Sequence, residues 1–231
     1  MKKVYFDKGH GGSDPGAVGN GMREKDLVAK IMDYAEAFIK ANYEGVQTRM
    51  SRAGDQTVSL QQRTDDANQW GADVFISSHI NAFNGNARGF ETFRHDNAPS
   101  ATRTLQNVLH KEIVATISKF GSVPDRGQKT ANFHVLRETR MSAVLTETLF
   151  IDNANDAKLL KQEAFLKAVG EAHAVGVAKF LGLTEKPKKA DDNAVMYRVV
   201  TGSFASRENA EARIAALKKA GFDSFIDIYK G

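Results

Sequence analysis

Four side chains in this sequence have the types and settings that metal-assisted hydrolysis needs. His10 lies inside a glycine-rich run, Asp7-Lys8-Gly9-His10-Gly11-Gly12-Ser13-Asp14-Pro15-Gly16-Ala17, and Glu24 follows just downstream. His79 ends the apolar run Asp73-Val74-Phe75-Ile76-Ser77-Ser78. Two histidines and a glutamate are a ligand combination of catalytic zinc sites, which leave the fourth position to water. Glu147 sits near the middle of Ala143-Val144-Leu145-Thr146-Glu147-Thr148-Leu149-Phe150. A carboxylate buried in such a run is costly unless a cation or a function accounts for it.

The elements that must position these groups can be read around them. Lys3-Val4-Tyr5-Phe6-Asp7 is strand-like, with aromatic and branched residues. The glycine-rich turn follows, and Glu24 then opens a helix to about Asn42, with Leu27, Ile31, Tyr34, Ala35 and Phe38 at helical spacing. His10 is therefore expected at the carboxyl end of a strand and Glu24 at a helix start, the edge where open α/β sheets build their sites. His79 and Glu147 belong to two further strands.

At these residues the sequence resembles the type-3 class of zinc-dependent N-acetylmuramoyl-L-alanine amidases, bacterial and phage cell-wall hydrolases. The run from Asp7 to Ala17, Arg23-Glu24-Lys25-Asp26, Ser77-Ser78-His79-Ile80-Asn81-Ala82, Val135-Leu136-Arg137 and Leu145 to Asn153 carry the resemblance, in the family's order, over roughly residues 1 to 183. Lys8 stands where the family commonly has proline, and Ser142 where proline often precedes the last strand. The resemblance implies zinc held by His10, Glu24 and His79, with Glu147 as the catalytic acid–base. The bond it implies is the amide between the lactyl group of N-acetylmuramic acid and L-alanine. The fold it implies is α/β of the zinc-peptidase, phosphorylase/hydrolase-like kind, a twisted, mostly parallel sheet with helices on both faces. Asn81, Arg137 and His134 are candidates for contact with the substrate or with the ligands. His95, His110 and His173 are expected to be ordinary surface or core residues. A zinc carboxypeptidase acting within the stem peptide, with Arg137 holding a terminal carboxylate, is the alternative enzyme. A wall-binding protein without catalysis is the alternative of another class.

The remaining elements follow in order. Val46–Met50 is a strand, and Ser59-Leu60-Gln61-Gln62 is a capping-box start for a helix that Gly71 ends. Gly89–Phe93 is a strand, Ser100–Phe120 an amphipathic helix, and Gly121–Gly127 a loop at the rim of a cleft. A short strand is expected near Val135, then the Glu147 strand and helices near Asp156–Lys161 and Glu163–Leu181.

The catalytic domain is thus expected over residues 1–183 and a charged, proline-containing linker over 184–195. Residues 196–231 read as strand, helix and strand, with Ser206 as N-cap and Gly221 at the helix C-terminus. This stretch resembles one repeat of a SPOR domain, a peptidoglycan-binding module whose full form has two. So small a unit cannot bury much of a core. It is expected to pair as a homodimer with its counterpart from a second chain, or else stay poorly ordered, with Val199, Phe204, Leu217 and Phe225 in the shared core.

Composition narrows the partners. No cysteine is present, so disulfides and Cys-type zinc sites are excluded. No apolar run is long enough for a transmembrane helix, so no membrane partner is expected. A net charge of +4 suits anionic wall polymers, while the basic residues form no aromatic-interleaved patch for nucleic acid. No signal peptide fits before the first strand. The expectation is synthesis in the cytoplasm and action on the wall after lysis or export by an unconventional route.

Overall fold

The computed structural model describes residues 1–187 and 200–228. Its first half runs β1 (Lys2–Lys8), a small hairpin of β2 (Val18–Gly19) and β3 (Met22–Arg23), α1 (Glu24–Asn42), β4 (Val46–Met50), α2 (Leu60–Trp70) and β5 (Val74–Asn81). Then come β6 (Phe90–Arg94), α3 (Ser100–Ile117) with a 3₁₀ turn to Phe120, β7 (Asp125–Thr130), α4 (His134–Arg137), β8 (Ser142–Phe150), α5 (Ala154–Leu160), α6 (Glu163–Leu181) and α7 (Arg207–Lys219). The chain clusters into two units, Met1–Lys188 and Lys189–Gly231.

Alternation along the central strands builds the layers of the first unit. Successive side chains of a strand point to opposite faces. Val4, Phe6, Val74, Ile76 and Val144 join a core with residues of α1, α3 and α6, including Ile31, Leu109 and Val169. Tyr5, Phe75, Ala143 and Leu145 join a second core with Ala67 of α2 and with Val135 and Leu136 of α4. Both faces are covered, as expected. The six strands are ordered β4-β1-β5-β8-β6-β7. β4, β1, β5 and β8 run parallel, β6 lies antiparallel to β8, and β7 runs parallel to β6.

That reversal matters for function. The carboxyl ends of β1, β5 and β8 and the starting ends of β6 and β7 share one edge, so five strands can contribute groups to one site.

Local signals explain several boundaries. Ser59 accepts from the Gln62 amide while the Gln62 side chain accepts from the Ser59 amide, and Gly71 ends α2 in the left-handed region. Lys8 is buried, and its ammonium reaches Asp33 at 2.6 Å, which accounts for a lysine inside the sheet.

Two sequence expectations change. The stretch near Val135 is the helical turn α4 rather than a strand, because its apolar pair packs down on α2 and the sheet instead of joining a ladder. The rim loop beyond Gly121 becomes strand β7 from Asp125 onward, paired to β6. Residues 184–186 remain tied to the end of α1 by backbone hydrogen bonds from Glu44 to Thr184 and from Lys186 to Asn42.

In the second unit the expected helix is present as α7, with Ser206 at the N-cap position and Gly221 just past the end. Segments 200–204 and 222–228 form no strand pairing among the described residues, and Phe204 and Phe225, expected in a shared core, are exposed. No residue of α7 is buried. One helix offers too little apolar surface to hold two isolated strands against solvent. Residues 197–199 and 229, with Val199, lie outside the described residues.

Candidate metal centre

His10 follows β1 with φ of 57°, a left-handed conformation that a residue with a side chain adopts at a cost. The twist turns its imidazole toward Glu24 at the head of α1, Nε2 to Oε2 at 3.1 Å. His79, near the end of β5, meets the other oxygen, Nδ1 to Oε1 at 2.9 Å. The two rings lie edge to face at 5.0 Å. One ligand atom from each of His10, Glu24 and His79 falls within 4.8 Å of the others. The three residues expected from the sequence are brought together.

The loop is glycine-rich because there is no room for side chains. A Cβ at Gly9 would lie 2.6 Å from the His79 ring, and one at Gly16 would lie 2.6 Å from Glu24 Oε2 and 2.7 Å from the His10 ring.

Further hydrogen bonds fix Glu24 and His10. Glu24 accepts the amide protons of Ala17 and Ile80. Burial raises the Glu24 pKa, but the hydrogen bonds to His10 and His79 outweigh it and hold the carboxyl well below the usual range. At His10, burial works against the charged ring, while hydrogen bonds to Glu24 and Asp14 raise its pKa. Asp14 meets His10 Nδ1 at 2.8 Å, fixing ring orientation as carboxylates do behind metal-ligating histidines. Arg63 of α2 is buried beneath the loop. Its Nη1 donates to Asp7 at 2.6 Å and its Nη2 to the His10 carbonyl at 2.6 Å.

Glu147 is the register partner of His79 across β5 and β8, and of Glu91 across β8 and β6. Register partners share a face, so His79, Glu147 and Glu91 form one row. Beyond Glu147 the register shifts, and Leu149 has φ of 68°. Such an irregularity re-aims side chains beside sites. Part of Glu147 opens to the cleft, while its Oε2 is shut off from solvent without a hydrogen-bond partner. Burial, then the charges of Glu24 and Glu91, push its pKa well above the usual carboxylate value.

The other candidates separate. Asn81 faces the row and donates to Glu91 Oε1 at 2.7 Å. Arg137 points elsewhere, to Glu138 at 2.7 Å and to Asn132. His134 is half-buried, and its Nε2 has no partner among the described residues. His110 and His173 are core residues: His110 bonds Thr92 and Asp125, and His173 bonds Thr146 and the Val169 carbonyl.

Sequence reasoning missed Asp14, Arg63 and Glu91 as members of the site. Glu91 carries the cue that singled out Glu147, a carboxylate in an apolar strand, in Gly89-Phe90-Glu91-Thr92-Phe93.

Comparison with known proteins places the chain in a family. Residues 4–179 match the N-acetylmuramoyl-L-alanine amidase family, and residues 159–227 match the SPOR domain. The early part of the SPOR match falls on α6, whose apolar face belongs to the core of the first unit. The chain is 41% identical over 226 residues to the sporulation-specific N-acetylmuramoyl-L-alanine amidase of Bacillus subtilis, covering 98% of this chain and 84% of that protein. It is 46% identical over 197 residues to the endolysin of Bacillus phage SPP1, covering 82% and 72%. Among solved structures, the catalytic domain of the amidase CwlV from Paenibacillus polymyxa superposes with a TM-score of 0.74 at 33% identity, covering 80% of this chain and 100% of that one. Family match, fold and converging side chains lead to one conclusion: the chain belongs to the N-acetylmuramoyl-L-alanine amidase family and is a hydrolase of the peptidoglycan amide bond.

Proposed function

We propose that His10, Glu24 and His79 hold one zinc ion and that Glu147 is the acid–base of the hydrolysis. The observation that carries this reading is the row itself. Three ligand atoms lie within 4.8 Å, and beside them stands a carboxylate with an oxygen that has no hydrogen-bond partner among the described residues. Two histidine nitrogens and one carboxylate oxygen suit zinc and leave room for a fourth ligand. When bound, zinc polarises a carbonyl and lowers the pKa of a water to about 7.

The chain's own groups do the rest. Glu147 takes a proton from the attacking water as its oxygen adds to the lactyl carbonyl carbon. It then gives that proton to the alanine nitrogen as the carbon–nitrogen bond breaks, releasing a free amine and a lactyl carboxylate. Asp14 and Arg63 hold the His10 loop still during both steps.

The tail supports a second part of the reading. Residues 1–183 form the catalytic domain, 184–195 a linker, and 196–231 a single SPOR-type repeat that binds peptidoglycan and pairs with a second copy. The exposed Phe204, Phe222, Phe225 and Ile228 are apolar surface that such pairing would cover. A sporulation-type lysin is favoured, because similarity to the sporulation-specific amidase runs through the tail.

End-group analysis of digested peptidoglycan tests the activity. New alanine amino termini without new reducing sugar ends are expected, and amino termini confined to later stem residues would overturn it. Sedimentation of the full chain against one stopped at Leu183 tests pairing: only the full chain should dimerise, and two monomers would refute it.

A further inference from the structure

Beside the row of His79 and Glu147 lies a cavity of about 220 Å³ whose walls include Asn81, Phe83, Glu91, Arg126 and Phe150. Arg126 is unusually well fixed there. Its Nε donates to Glu91 Oε2 at 2.9 Å, and its guanidinium carbon lies 4.9 Å from the centre of the Phe150 ring. Glu91 is 4% exposed, and both its oxygens are engaged, one by Asn81 and the other by Arg126 and Lys129. The outer edge of the guanidinium is only partly engaged. Nη1 reaches the Arg88 carbonyl only at 3.5 Å, and Nη2 makes no hydrogen bond among the described residues.

Charge points the same way. Arg126, which lines the cavity, shares the Glu91 carboxylate with Lys129, so Glu91 does not neutralise Arg126 alone. A planar guanidinium whose Nη edge carries one long hydrogen bond among the described residues, held by stacking and a buried anchor, can match a carboxylate bidentately and loses little entropy on binding. The substrate polymer carries free carboxylates on its stem peptide.

We propose that this cavity grips a carboxylate of the stem peptide through the Nη edge of Arg126, with Glu91 as the buried anchor that sets its angle. The same contacts offset, from behind, part of the charge that Glu91 presents to Glu147 across the ladder. The inference rests on the amidase reading of the adjoining row.

The test uses the full zinc-loaded chain and two soluble muramoyl peptides, one with a free side carboxylate and one with that group as its carboxamide. The readout is the ratio of their kcat/KM values, which a general loss of activity does not move. A charge-assisted bidentate contact predicts a ratio of about ten- to a hundredfold in favour of the carboxylate. Arg126→Gln should bring the ratio close to one, chiefly through KM, and Arg126→Lys should leave it in between. A wild-type ratio near one, or a ratio preserved in both variants, overturns the proposal. Product end groups from the same reactions report separately on the amidase reading: a different bond cut would discredit that reading whatever the ratio.

Discussion

Replacing Arg63 with methionine probes how the site is held up from below. Arg63 is 2% exposed, and its partner Asp7 is 1% exposed. Arg63 Nη1 and Asp7 Oδ1 lie 2.6 Å apart, and Arg63 also donates to the carbonyls of Lys8, His10 and Val58. Methionine keeps much of the stem but leaves a buried carboxylate without its cation, which costs about 3–5 kcal/mol. That is a large share of an ordinary domain's ~5–15 kcal/mol. Urea unfolding of the metal-free protein near neutral pH should show the loss directly. Asp7→Asn combined with Arg63→Met should be less damaging than the two effects added, with a coupling of about 1–3 kcal/mol. The pair also sets a pH signature. Burial raises the Asp7 pKa, but Arg63 and Ser77 outweigh it and lower the carboxyl overall. Its contribution is therefore complete above the unfolded value of about 3.9 and disappears as pH falls through the lower folded value. Wild type should lose stability more steeply than Asp7→Asn in that acid window. Loss of His10 carbonyl support should also weaken zinc binding by about tenfold or more. An Arg63→Met protein within about 1 kcal/mol of wild type, or additive single variants, would refute the reasoning.

Glu147→Gln should retain zinc and fold while peptidoglycan turnover falls by about 10²–10⁴-fold. Its melting temperature should not drop, since the carboxylate oxygen it replaces has no partner. Turnover near the wild-type rate would remove Glu147 from the chemistry. Gly16→Ala and Gly45→Ala share φ of 66°, so each should lose about 1 kcal/mol or more of stability. Only the Gly16 methyl meets Glu24 and His10, whereas Gly45 has nothing within 4 Å. Zinc titration calorimetry should show weakened binding for Gly16→Ala alone, and equal affinities would contradict the close-approach argument.

The parts of this molecule with periodic or motif-bound residues were legible in sequence. Leu27, Ile31 and Ala35 marked α1, and Ser59 with Gln62 marked the start of α2. His10, Glu24 and His79 could be found because each sits where a strand or helix meets the cleft. Asp125-Arg126-Gly127-Gln128-Lys129-Thr130 gave no strand signal: it is polar throughout, and only pairing with β6 at the sheet edge makes it extended. Arg126 was therefore hidden in an apparent loop, and Lys129 in a stretch assigned to no element. Val135-Leu136 suggested a strand because two apolar residues cannot distinguish strand from helical turn. Arg63 occupied a helix-face position, and nothing local showed that its charged end reaches under the His10 loop. In the tail the helix was readable from its face and caps. The segments read as flanking strands, 200–204 and 222–228, form no strand among the described residues.

The central claim is most directly tested by zinc stoichiometry of the purified chain and of its Glu24→Gln and His79→Ala variants. Each variant is checked by circular dichroism for an intact fold. The account predicts one zinc per wild-type chain, and for each folded variant a large loss of bound zinc together with loss of peptidoglycan hydrolysis. Full zinc occupancy and activity in a folded His79→Ala protein would contradict it.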